Sequence, residues 1–126
     1  VLDQNEFIPV IAPMGKGTNG ETLNINADFV AAKVASALQA EKLVLMTDTE
    51  GVQRKNKALI SELTHKEAKK LIQAGVILNG MLPKVICCLD ALKSGVHKTH
   101  IIDGRIRHAL LLELFTEEGI GTQIID

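Results

Sequence analysis

The sequence predicts an α/β fold: a three-layer αβα sandwich around a mainly parallel open sheet, built as a single domain over residues 1–126. Three observations carry that expectation. Short apolar runs alternate with segments of helical periodicity, the pattern of a sheet covered by helices. One run, Leu43-Val44-Leu45-Met46, is continuously apolar, as a parallel strand buried on both faces requires. Polar residues cluster where one element hands over to the next, at residues 24–28, 47–48 and 80–84. In open α/β sheets ligands bind at such handovers, outside the strand ends.

Taken in order, residues 7–12 (Phe-Ile-Pro-Val-Ile-Ala) are expected as a buried strand. Asn19-Gly20 is the favoured pair of a two-residue turn, so residues 14–25 read as a hairpin. An Ala-rich helix follows over about residues 26–38, with Asn and Asp at its start. After the strand at 43–46, residues 50–52 and 58–60 flank the basic turn Arg54-Lys55-Asn56-Lys57 and are expected to pair. Thr64 with Glu67 three residues on predicts a capping box and a helix to about Ala74. A loop covers residues 75–80, and Leu82, Val85, Ile86, Leu89 and Leu92 then mark one helical face. Residues 99–103 form another strand, 109–115 a short helix and 121–125 a last strand. That helix is apolar on nearly every side, which predicts deep burial, with Glu113 either escaping to solvent or paired with a cation.

Composition removes several classes of function. The net charge of −1 leaves no basic footprint for nucleic acid, and three Phe with no Trp or Tyr make no stacking platform. No apolar run approaches the ~20 residues that span a bilayer. The two cysteines, Cys87 and Cys88, are adjacent, which suits a reducing compartment better than a disulfide framework. No metal site is expected: Cys87, Cys88, His97 and His100 lack zinc-ligand spacing. Gly15-Lys16-Gly17-Thr18 falls short of a phosphate loop, because Lys16 is followed by Gly and position 10 is Val. The chain starts at Val1 and reaches an apolar run almost at once, so it reads as part of a longer protein.

The three polar clusters each have a plain reading and a functional one. Asn26 can simply cap the helix and Asp28 favour its positive end, but that leaves Asn24 unexplained. A helix start flanked by amides can also hold an anion, with Asp28 gripping lysines rather than the anion itself. Thr47-Asp48 through Gly51 is either an ordinary turn or a nucleotide edge. Lys84 follows Pro83 in the first turn of a helix, where the macrodipole disfavours a cation. It is either a solvated surface lysine or a charge aimed at the cleft that Asp28 faces, placed to stabilise a moving phosphoryl group.

The segments Asn-Ile-Asn-Ala-Asp at 24–28, Thr-Asp-Thr-Glu-Gly-Val at 47–52 and Gly-Met-Leu-Pro-Lys at 80–84 resemble, in order and spacing, the nucleotide-binding half of the amino acid kinase family. The likeness is to its N-acetylglutamate-phosphorylating branch and covers essentially the whole chain. It implies phosphorylation of the γ-carboxylate of N-acetyl-L-glutamate by ATP with Mg²⁺, for arginine biosynthesis, in the cytoplasm or a plastid stroma. It implies that Lys84 and Asp28 are catalytic, and that Asn24 and Asn26 bind the acceptor. It implies a nucleotide site formed by Thr47, Asp48, Thr49, Glu50, Gly51, Val52 and Gln53 with Val76, Ile77, Leu78, Gly80 and Met81. Residues 108–121 resemble the signature of arginine-inhibited members, which implies an arginine effector site at His108, Glu113 and Gly119. The resemblance further implies a homo-oligomer when full length and a PII-type protein as partner. The family's glycine pair, phosphate-contacting lysine and substrate-binding arginine belong to the N-terminal half, outside this sequence, so the isolated fragment is expected to be inactive. Other readings are a kinase for glutamate, aspartate or UMP, and a non-catalytic arginine-sensing module.

Overall fold

In the computed structural model, which describes residues 7–116 and 119–126, the chain opens on a hairpin of β1 (Met14–Lys16) and β2 (Thr22–Asn24). Met14 pairs with Asn24 and Lys16 with Thr22. The turn differs from the expected two-residue type. Gly17 N donates to Glu21 O at 2.8 Å and Gly20 N to Gly17 O at 3.0 Å, leaving a three-residue loop. Only Gly20 within it has positive φ, at 87°. A two-residue turn of the Asn-Gly kind needs both central residues left-handed, whereas a three-residue loop needs one.

Residues 7–12 are not a strand. They are exposed, Val10 at 95%, and no strand among the described residues lies beside them. A strand without a neighbour leaves its backbone groups unpaired, so apolar character alone could not make one here.

Helix α1 (Ala27–Ala37) starts where expected, with the Asn26 side chain accepting from Asp28 N at 2.9 Å and Phe29 N at 3.2 Å. Next come β3 (Lys42–Thr47), β4 (Glu62–Thr64) and α2 (His65–Gln73). The expected pairing of residues 50–52 with 58–60 is present as a bridge between Gln53 and Leu59 and a bond from Ile60 N to Val52 O of 2.9 Å. Strand β4 was not legible: it is three residues long and merges into the capping signal of α2. That box is complete, with Glu67 N on Thr64 Oγ1 and Thr64 N on the Glu67 carboxylate. These bonds hold the Glu67 carboxyl below its usual range.

Helix α3 (Met81–Lys93), β5 (Lys98–Asp103), α4 (Ala109–Phe115) and β6 (Thr122–Ile125) complete the chain. The four-stranded sheet runs β3-β5-β6-β4, parallel between β3 and β5 and between β4 and β6, antiparallel between β5 and β6. One face carries the core: Leu43, Leu45, Ile101 and Ile124 pack under α1, α2 and α3 with Ala32, Val85, Cys88 and Leu89.

The opposite face is covered by α4, and there the expectation is inverted. Only Ala109 and Glu113 are buried, while Leu110, Leu111, Leu112, Leu114 and Phe115 are exposed. Met46 at the same sheet's edge strand is half-exposed, so β3 is not covered on both faces along its length. The reason is local. His100 points from β5 into this face and takes Glu113 as its partner, so the helix turns its carboxylate inward and its leucines out.

Thr64→Ala removes the cap acceptor of α2 and is expected to lower the unfolding free energy by about 1 kcal/mol. Urea unfolding monitored by circular dichroism measures it. Because the folded-state carboxyl of Glu67 lies below its unfolded value, the box is intact at neutral pH and is lost as pH falls through that lowered value.

Candidate active site

Helices α1 and α3 run parallel. Their N-terminal turns are joined by Asp28 and Lys84, and just past their C-termini Gln39 Nε2 reaches Ser94 O at 2.9 Å. Each helix leads by a short connection into the next strand, α1 into β3 and α3 into β5, and these strands are parallel with Thr47 beside Asp103. Both helix starts therefore lie at the carboxyl end of β3 and β5. Two positive helix ends meet there.

Lys84 Nζ donates to both Asp28 oxygens, at 3.1 and 2.9 Å. Both side chains are 19% exposed, so the pair is shielded yet reachable. A lysine in the first turn of a helix is disfavoured by the dipole, and the carboxylate offsets this. Of the two readings of Lys84, the solvated one is excluded by this contact. Asn26 spends its side-chain oxygen on capping α1, as the plain reading has it, and so fixes the start of the helix that carries Asp28. Asn24 ends β2, exposed, two residues before that cap.

An open cleft of about 250 Å³ lies where the turn after β3 meets the start of α3. It is formed by Thr49, Gly51, Val52 and Gln53 from the turn after β3, and by Val76, Ile77, Leu78 and Met81 before and at the start of α3. Two segments read separately in the sequence thus face one cavity. Lys84 does not itself line the cleft; it follows the lining residue Met81 by three positions on α3, on the same side of the helix. Thr47 and Asp48 hydrogen-bond each other at 3.3 Å at the end of β3, and Glu50 is exposed nearby. Gly80 does not line the cleft; Asn79 does, with φ of 48°. Asn tolerates that conformation better than other residues, which was the available signal for it. At the same end, Asp103 is buried and accepts from Arg105 N and Nε at 2.9 Å and Nη2 at 2.7 Å. The guanidinium holds its carboxyl well below the usual range. Cys87 and Cys88 lie in the core behind the pair, and burial pushes the Cys88 thiol up to about 12, so it is no nucleophile at neutral pH.

A second, polar cavity of about 150 Å³ opens between α4 and the sheet, lined by Lys42, His100, Glu113, Gly119 and Gln123 among others. Glu113 contacts His100 Nδ1 at 2.5 Å and accepts from Ile120 N at 2.8 Å. Glu113 and Gly119 are brought together, as the sequence implied. His108 is not with them: it starts α4 in the left-handed region, exposed, with Arg107 Nε at 3.2 Å from its ring. The histidine of this cavity is His100, to which the sequence alone assigns no role in it. Its signal was a titratable side chain inside a buried strand, which demands a partner.

The sequence pattern of the amino acid kinase family matches residues 1–103. The chain belongs to that family. Among curated amino acid kinases it is 58% identical over 123 residues to the acetylglutamate kinase of Geotalea daltonii, covering 98% of this chain and 42% of that protein. The chain thus spans less than half the length of such relatives. Among solved structures it superposes on N-acetylglutamate synthase from Neisseria gonorrhoeae complexed with coenzyme A and L-arginine, with TM-score 0.84 and 36% identity, over 91% of this chain and 27% of that one. Carbamate kinase from Giardia lamblia bound to AMP-PNP matches with TM-score 0.69 and 20% identity, over 89% and 36% of the respective chains, which shows the shared fold.

Proposed function

We propose that the full-length enzyme carrying this segment transfers the γ-phosphoryl group of ATP to the γ-carboxylate of N-acetyl-L-glutamate. The observation that carries the reading is the Asp28–Lys84 pair, whose lysine lies on the helix that contributes Met81 to the cleft. The similarity to an acetylglutamate kinase supports the choice of acceptor over glutamate, aspartate or UMP. A carboxylate acceptor is already ionised at neutral pH, so no general base is needed. Catalysis then reduces to holding the reactants in line and neutralising charge. The turn after β3 and residues 76–81 hold the nucleotide. Lys84, oriented by Asp28, faces the charge that grows on the phosphoryl oxygens. Asn24 binds the acceptor, and Asn26 fixes the helix start between them. Magnesium would enter with the nucleotide, since in such reactions the phosphates supply much of its coordination.

The second cavity favours a second reading, an arginine effector site. Glu113 suits a guanidinium, and Lys42 at the rim suits a carboxylate. The N. gonorrhoeae neighbour was solved with L-arginine, which agrees with it. In this reading His100 takes the place first given to His108. A homo-oligomeric full-length enzyme and a PII-type partner belong to the same proposal, as does inactivity of the isolated 126 residues.

In the full-length enzyme, Lys84→Ala is expected to depress kcat at least a hundredfold while the KM for ATP changes little, since a contact made mainly in the transition state is lost. Steady-state kinetics measure it, and a variant with most of its kcat intact contradicts the assignment. Arginine is expected to inhibit, and Glu113→Gln to weaken inhibition with kcat near normal in its absence. His108→Ala should leave inhibition unchanged, whereas loss of inhibition in that variant would restore His108 to the site.

A further inference from the structure

Thr122, unremarkable in the sequence, makes direct contact with the turn after β3. Its side chain is fully buried at the start of β6, in register with Ile101 of β5. Its hydroxyl accepts from Val52 N at 2.8 Å and donates to Ile60 O at 2.7 Å. Val52 and Ile60 face each other across the hairpin after β3, and Ile60 N bonds Val52 O at 2.9 Å. In an antiparallel pair of this kind the reciprocal bond, Val52 N to Ile60 O, would be expected. The Thr122 hydroxyl is inserted in its place, bridging both groups.

That insertion sets how the turn meets the cleft. Gly51 has φ of 141°, and a Cβ there would sit 2.7 Å from Thr122 Oγ1, so backbone and hydroxyl are in close contact. Gly51, Val52 and Gln53 all line the cleft. Thr122 is itself held firmly, by the β5–β6 pairing and, two residues earlier, by the bond from Ile120 N to the Glu113 carboxylate.

We propose that Thr122 is a positioning residue for the nucleotide, its hydroxyl holding Val52 and Ile60 apart so that the 51–53 backbone presents the shape the nucleotide binds. This rests on the reading of that turn as the nucleotide edge.

The test uses the full-length enzyme. Thr122→Val keeps the volume and removes the hydroxyl, leaving Val52 N–H and Ile60 C=O without their partner. The KM for ATP is expected to rise roughly tenfold, with kcat and the KM for N-acetylglutamate within about twofold. Thr122→Ser keeps the hydroxyl and should restore the wild-type KM for ATP. Where Thr122→Val is too unstable to assay, Thr122→Ala against Thr122→Ser makes the same comparison. An ATP KM that is the same with and without the hydroxyl overturns the proposal, as does an equal change in the KM of both substrates. Calorimetric titration with ATP separates the two levels. Wild-type enzyme that binds ATP, more weakly in Thr122→Val, but phosphorylates no N-acetylglutamate would overturn the kinase reading and leave the role of Thr122 standing. Wild-type enzyme that binds no ATP overturns both.

Discussion

The contact between Asp28 and Lys84 is the constraint on which the rest of the site depends. It ties the first turns of two parallel helices, and a bond of 2.9 Å tolerates little sliding of one helix along the other. Small residues keep the helices close: Ala32 and Ala35 of α1 and Ala91 of α3 are buried in the common core. The turn after β3 and residues 76–79 with Met81 line one cleft, and the lysine lies three residues further along α3. The pair also resolves an electrostatic conflict. Two helix N-termini and a lysine concentrate positive character there, and the Asp28 carboxylate balances it.

The two faces of the sheet follow different logic. Under α1, α2 and α3 the packing is apolar and driven by burial. Under α4 it is organised by one buried hydrogen-bonded contact, and the helix leaves its leucines to solvent while Glu113 stays against His100. A seven-residue helix gains little from intrinsic propensity, so its orientation is set by the groups it must satisfy. The polar cavity beside that pair is a consequence.

Local chemistry was legible in the sequence; long-range pairing was not. The caps at Asn26 and Thr64 follow from residues two or three positions away, and both stand as read. That residues 49–53 and 76–81 would lie near one another was legible because they fall at a strand end and a helix start, positions that topology brings together. Residues 7–12 misled because a strand is defined by its neighbour. The burial of α4 misled because its composition is uniformly apolar, and only the position of His100 in space decides which side faces in. Thr122 was invisible for the same reason: its partners Val52 and Ile60 lie more than sixty residues away in sequence.

The central claim is that Asp28 acts through Lys84. A double-mutant cycle on kcat in the full-length enzyme tests it most directly, using Asp28→Asn, Lys84→Ala and the two combined. If the carboxylate serves to orient the lysine, the double variant should be no slower than Lys84→Ala alone, because the group that Asp28 orients is already gone. Losses that multiply, so that the double variant falls below Lys84→Ala by the full factor of Asp28→Asn, would show the two residues acting independently and contradict the account.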